Sequence, residues 1–315
     1  MIPFSYRLIY RLARFNHAMP VCLLAVVFSA ICTLAQASEA SNLNVVILFR
    51  DDMAVHKRLV QDVQGLLEAR KAITVQTVPV KSRDTSINPF DFVLAIGDSA
   101  LAEAMKFQDS KGIFLLVTDV SLASQAVSTG RWQGAMIQPP YEFHMRALRS
   151  MLPHVIHLGL IHSPESEQAL HLLLQAAFKA GVVIKAKRVE PAGSLQALRF
   201  LFDECHAVFM FPDTRLLNNL TMESMLLLQQ EKRRAVIGIS KTSVAAGALM
   251  AVAYDLERLP EVTYRAIKGY QESGQMPDET AFADAVVVYY NSEVAQRLGL
   301  QLNSGKLPFR AVELK

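Results

Sequence analysis

Apolar runs alternate along this chain with segments whose apolar positions recur every three or four residues, from Asn44 to near the C-terminus. Residues 44–49 are apolar at almost every position and read as a strand buried on both faces. Residues 52–69 place Val55, Leu59, Val63 and Leu66 at helical spacing. Strands follow at 73–80, 91–96 and 113–118, with a helix over 100–106. The rhythm then restarts. Residues 141–151 read as a helix stopped by Pro153, 157–161 as a strand and 165–180 as a helix. Further strands fall at 182–189, 207–211 and 235–239, separated by helices near 194–203 and 214–231. Residues 248–254 and 285–290 are late strands. Continuous apolar strands divided by helices imply parallel sheets covered on both faces. The expected fold class is therefore α/β, built as two successive doubly wound units.

The first 37 residues do not fit that pattern. Arg7, Arg11 and Arg14 precede an apolar run over 21–34 and then Ala35-Gln36-Ala37. A basic start, a short apolar stretch and a small-x-small ending are the parts of a secretory signal peptide. The run is shorter than the roughly 20 residues a spanning helix needs. Cleavage after Ala37 is expected, giving a mature chain of about 278 residues in the periplasm, a length that suits two lobes better than one core. An uncleaved inner-membrane anchor is the alternative. Cys32 follows bulky Ile31, which is wrong for a lipidated cysteine.

Charge and cysteine content change once this leader is set aside. It carries three of the 32 Lys and Arg and none of the 29 acids, leaving 29 of each. No clustered basic surface is implied, so nucleic acid is not an expected partner. Cys22 and Cys32 belong to the leader. Cys205 then stands alone in an apolar context, as an inert packed thiol. A monomer is expected.

Candidate chemistry gathers where strands end. Gly97-Asp98-Ser99 joins a strand to a helix, so its backbone N–H groups and Ser99 can grip a carboxylate or other polar group; Asp98 or Ser99 can equally cap the helix. Thr118-Asp119 stands in the same place one strand later. His162-Ser163 ends the first strand of the second unit, with Ser163 a ligand donor or a cap before Pro164. Asp213-Thr214 ends a later strand, where Asp213 can pair with a ligand amine or cap the helix expected at 214–231. Ser240 ends the next strand, followed by Lys241. No metal is expected: His157 and His162 lie about 16 Å apart along one strand, too far for one zinc with bonds of about 2 Å. Met222 and Met225 sit at helical apolar positions and read as core. No Gly-x-Ser-x-Gly elbow, His-Glu-x-x-His or phosphate loop occurs, so no enzyme and no cofactor is expected.

Several segments, in order, carry a resemblance. They are Leu152-Pro153 followed by residues 157–164 (His-Leu-Gly-Leu-Ile-His-Ser-Pro), residues 207–214 (Ala-Val-Phe-Met-Phe-Pro-Asp-Thr), Gly247-Ala248-Leu249 leading to Tyr254-Asp255, and Asn291 through Ala295 to Leu298-Gly299-Leu300. From about Gly130 to Leu302 the chain resembles the ABC-transporter substrate-binding proteins of the periplasmic-binding-protein type I fold. The first unit departs from that family at Phe49-Arg50-Asp51-Asp52. The resemblance implies two lobes, 38–136 with a return segment near 256–284 and 137–255 with a segment near 285–302, then a C-terminal tail over 303–315. It implies hinge crossings near 136–141, 253–258 and 283–288. Tyr254 and Asp255 would lie at one of them, and Trp132 would serve interlobe or edge packing. The implied function is capture of a small polar or aromatic ligand for an ABC permease. The alternative is a sensing module that signals to a membrane protein such as a sensor kinase.

Overall fold

The computed structural model describes residues 42–69, 72–80, 87–278 and 280–314. The expected leader, its cleavage point after Ala37 and Cys22 and Cys32 lie outside them. Five parallel strands form the first sheet: β1 Leu43–Phe49, β2 Ile73–Pro79, β3 Phe92–Ile96, β4 Gly112–Val117 and β5 Trp132–Met136, in the order β2-β1-β3-β4-β5. All five residues of β3 and all six of β4 are buried, which is why these strands read as unbroken apolar runs rather than alternating ones. β5, with Gln133 and Gly134 inside it, carries no such run and escaped the periodicity. Its Trp132 is buried against Gly112, where a Cβ would stand 2.7 Å from the indole and 2.2 Å from the Val93 carbonyl. Trp132 thus packs the edge strand onto the core of its own lobe.

The second sheet contains β6 His157–His162, β7 Val183–Arg188, β8 Ala207–Phe209, β9 Ala235–Gly238, β10 Met250–Tyr254, β11 Val286–Tyr290 and β12 Arg310–Glu313. Its order is β12-β11-β10-β9-β8-β6-β7. The stretch β7-β6-β8-β9-β10 repeats the order of the first sheet, strand for strand. The molecule is an α/β fold of two doubly wound lobes. The second lobe is not parallel throughout: β11 runs antiparallel to β10, and β12 joins parallel to β11. The C-terminal tail over 303–315 contributes this last strand. The expected strand over 207–211 ends at Phe209.

Helices cover both faces. The first lobe has α1 Ala54–Glu68, α2 Asp98–Ala104 and α3 Val120–Ser128. The second has α4 Tyr141–Met151, α5 Glu167–Lys179, α6 Ser194–Glu204, α7 Asn219–Lys232 and α8 Lys241–Ala245. α9, Leu259–Ser273, returns to the first lobe: it packs on α1, Tyr270 lies 4.5 Å from the Phe92 ring, and Gln271 Nε2 donates to the Ala72 carbonyl at 2.9 Å. α10, Ser292–Leu298, closes the second lobe under an Asn291 cap that accepts from Val294 N. The chain thus passes between lobes at residues 137–140, 255–258 and 274–285. Among the described residues no helix is long and apolar enough to cross a membrane.

Candidate functional site

In each lobe the strand order reverses between the first and third strands, and doubly wound sheets bind ligands in the crevice outside the carboxyl ends at that point. Here those ends are β1 and β3 in the first lobe, β6 and β8 in the second. α3 of the first lobe approaches α5 of the second.

At the end of β3, Gly97 adopts φ +88°, a conformation that strains other residues, and its amide donates to the Leu115 carbonyl at 2.8 Å. Asp98 does not cap its own helix. Its carboxylate accepts from Thr118 N at 2.7 Å, from Asp119 N at 3.0 Å and from the Thr118 hydroxyl. It therefore ties the end of β3 to the end of β4. Asp119 is the N-cap of α3, accepting from Ser121 N and Leu122 N at 2.9 and 3.0 Å. Ser99 and Thr118 are exposed. Just before them Leu116 holds φ +55° at a break in the β4–β5 register. Strain in a non-glycine residue and a bulge both concentrate at functional strand ends.

The first lobe also brings in a residue that the helical spacing did not single out. Burial along α1 falls on His56, Leu59, Val60, Val63 and Leu67, while Val55 is exposed. The inward stripe is turned from the expected 55-59-63-66 line, because α1 begins at Ala54 and packs under α9 as well as on the sheet. His56 is 3% exposed, and its ring lies against Gly97, 2.6 Å from where a Cβ would stand. Its Nδ1 is buried without a hydrogen-bond partner. Burial, aided by the nearby Arg50 charge and opposed by Asp52 and Asp98, pushes the imidazole below its ordinary value. Arg50 itself is paired with Asp52.

In the second lobe Asp213 is 2% exposed and accepts four hydrogen bonds, from Ser163 N at 2.7 Å, the Ser166 hydroxyl at 2.6 Å, and Arg215 N and Leu216 N at 3.0 Å each. Burial alone would raise its carboxyl pKa, but bonds from Ser166, Ser163 and Leu216 outweigh it and the net shift is downward. The helix expected at 214–231 starts only at Asn219, capped by Asn218 accepting from Thr221 N. Asp213 caps the turn at 214–217 instead, because a five-residue loop intervenes. Thr214 is exposed. Ser163 is 1% exposed, and its side chain does not cap the short helix after it. Its hydroxyl lies near the Asp213 and Glu165 carboxylates but has no well-formed hydrogen bond. His162 is buried, with Nδ1 3.2 Å from the Ser163 carbonyl oxygen. Arg215 bridges Glu165 and Glu190 at the rim. Ser240 forms a reciprocal capping box with Ser243 at the start of α8, and Lys241 stands over the Tyr289 ring.

Two further polar groups lack partners beside the first crossing. They are Gln138 Oε1 and both ring nitrogens of His144, which is fully buried beside Tyr141 and Phe209. Burial pushes the His144 pKa down to about 4. Tyr254 is buried at the end of β10, and burial raises its phenol pKa. Asp255 pairs with Arg310. His157 stacks on His206, whose Nδ1 accepts from His157 N at 3.0 Å. Cys205 is buried, and burial raises its thiol pKa.

No family model and no curated protein matches the sequence. Solved structures do. A ligand-free, open substrate-binding protein with adhesive properties from Clostridium difficile superposes with a TM-score of 0.64 at 15% identity, over 87% of this chain and 100% of that one. An ABC domain in complex with L-Trp from Streptococcus pneumoniae gives 0.55 at 15% identity, over 86% and 100%. A conserved domain protein from Vibrio cholerae gives 0.55 at 18%, over 87% and 100%. This chain has the two-lobed, periplasmic-binding-protein-like type I fold.

Proposed function

We propose that this protein is an extracytoplasmic solute-binding protein that captures one small polar or aromatic molecule between its lobes and delivers it to an ABC importer. The observation that carries the reading is a pair of buried polar groups at the two switch points: His56 Nδ1, which has no hydrogen-bond partner, and the Ser163 hydroxyl, which stands beside the Asp213 and Glu165 carboxylates without a well-formed bond. Nearly all buried polar groups find a partner, and leaving one unmet costs about 1–3 kcal/mol. A ligand seated between the strand ends would satisfy both. On this reading it also meets Gly97, Asp98, Ser99, Thr118 and Asp119 on one side, Asp213, Thr214 and Ser240 on the other, and Tyr254 at the crossing. Asp98 and Asp213, whose acceptor sites are occupied within the protein, shape the site more than they pair with charge.

The pneumococcal structure holds L-Trp, which makes aromatic amino acids the first compounds to test. A thermal-shift screen of the chain from Ser38 should include them with nucleosides, sugars and vitamins. A true ligand at 100 times its dissociation constant raises stability by about 2.7 kcal/mol. No shift across the screen counts against capture of a small molecule, and turnover of the hit would make the protein an enzyme. Export follows from residues 1–37: intact mass of the protein recovered from the periplasm is expected to start at Ser38. A membrane-bound product retaining residues 21–34 would replace this with an anchored form.

A further inference from the structure

We propose that the C-terminal segment is a strap that sets the hinge, with Arg310 as the positioning residue that holds the lobes in the arrangement seen here. Three observations place it there. Asn303 N donates to the Met151 carbonyl at 3.1 Å, and Phe309 packs edge-on against Phe143 at 5.1 Å with the Arg146 guanidinium 5.2 Å above its ring. Met151, Phe143 and Arg146 all belong to α4, the helix that leaves the first crossing. β12 then pairs with β11, the strand that leaves the third crossing, and Leu314 N donates to the Tyr290 carbonyl at 2.8 Å. Between these contacts Arg310 pairs with Asp255, the first residue of the second crossing. One short segment thus holds the second-lobe end of every connection between the lobes.

Asp255 is built as a pivot. It is 7% exposed; its amide donates to the Ala285 carbonyl at 2.7 Å, joining the second crossing to the third. Its carbonyl accepts from Arg258 N and Leu259 N, and its Oδ1 accepts from Glu257 N at 3.1 Å. The Arg310 pair fixes the carboxylate in the orientation that also holds Glu257. Hinge motion is absorbed by a few loop residues between rigid bodies. Rotation of the first lobe swings residues 256–258 with α9, and so pulls the carboxylate out of line with a guanidinium fixed in the other lobe's sheet. The ion pair is whole in one lobe arrangement and weakened in others, which is the differential interaction a conformational bias requires.

The test needs no ligand. Spin labels at Ser124→Cys on α3 and Gln168→Cys on α5, both exposed, report the lobe–lobe distance by pulsed electron resonance. The intact protein is expected to give one short distance. Arg310→Met, which keeps the aliphatic stem, is expected to add a longer-distance population, raising the open-to-closed ratio roughly ten-fold or more. Arg310→Lys should restore much of the short distance, and Asp255→Asn should reproduce the Arg310→Met distribution. A lower melting temperature with an unchanged distance distribution in both Arg310→Met and Asp255→Asn would mean a merely structural bond and overturn the proposal.

Discussion

Asp213→Ala is expected to lower the melting temperature by roughly 6–12 °C, because it strands four donors that converge on one carboxylate. Ser163 N, the Ser166 hydroxyl and the amides of Arg215 and Leu216 all lose their acceptor. Unmet buried donors cost about 1–3 kcal/mol each, and those nearest solvent recover water. A net loss of roughly 3 kcal/mol follows, at about 2–4 °C per kcal/mol for a chain of this size. The pH dependence has a definite sign. The folded-state pKa of Asp213 lies below its ordinary 3.8, so its charged form contributes stability that is complete above that ordinary value. This contribution fades as pH falls through the depressed folded pKa. The stability gap between the natural protein and Asp213→Asn should therefore be constant near neutrality and narrow only below about pH 4. Chemical denaturation at a series of pH values checks this. A gap independent of pH down to acid unfolding would show that Asp213 does not hold the turn through its charge.

His56→Phe and Ser163→Ala are expected to behave in the opposite way. Each removes a buried polar atom without a well-formed hydrogen bond in the protein, so the melting temperature should change little. Phenylalanine fills about the space of the imidazole against Gly97 without leaving a nitrogen to satisfy. The loss should fall on binding: with the compound found by thermal shift, affinity should drop roughly ten-fold or more for each variant, the size of a lost hydrogen bond of about 1.5 kcal/mol. Sites that bind ligands are commonly kept at a stability below the best the fold can reach. Calorimetric titration alongside melting curves separates the outcomes. Variants that melt lower and bind as tightly as the natural protein would make both residues structural and remove the main support for an interlobe site.

Much of the architecture was legible because continuous burial leaves a direct trace in a parallel sheet. β1, β3, β4, β6 and β9 are buried on both faces, so their residues read as apolar runs without any knowledge of what covers them. β5 and β12 gave no such trace. β5 is an edge strand interrupted by Gln133 and Gly134, and β12 is mostly exposed. Both exist because a neighbouring strand offers unpaired backbone groups, which is a property of the sheet and not of the segment. The strand ends themselves were legible for the same reason as the strands. Gly97, Asp98, Thr118, Asp119, Ser163 and Asp213 stand where an apolar run stops.

What those polar residues do was decided only in three dimensions. The sequence by itself determined two doubly wound units, their strand ends and the short polar side chains placed there, since each depends on neighbours within a few residues. Asp98 bonding to Thr118 across 20 positions, and Asp213 to Ser163 across 50, required strands adjacent in the sheet. Local spacing shows the cap that Asp213 makes on the turn at 214–217, but not the partners that both carboxylates gain across the sheet. His56 turned inward because α1 is packed from two sides, a rotation that periodicity within the helix cannot fix. Arg310 reached Asp255 across 55 positions. Long-range pairing of this kind is set by where the sheets place their ends, and that is a decision of the tertiary structure alone.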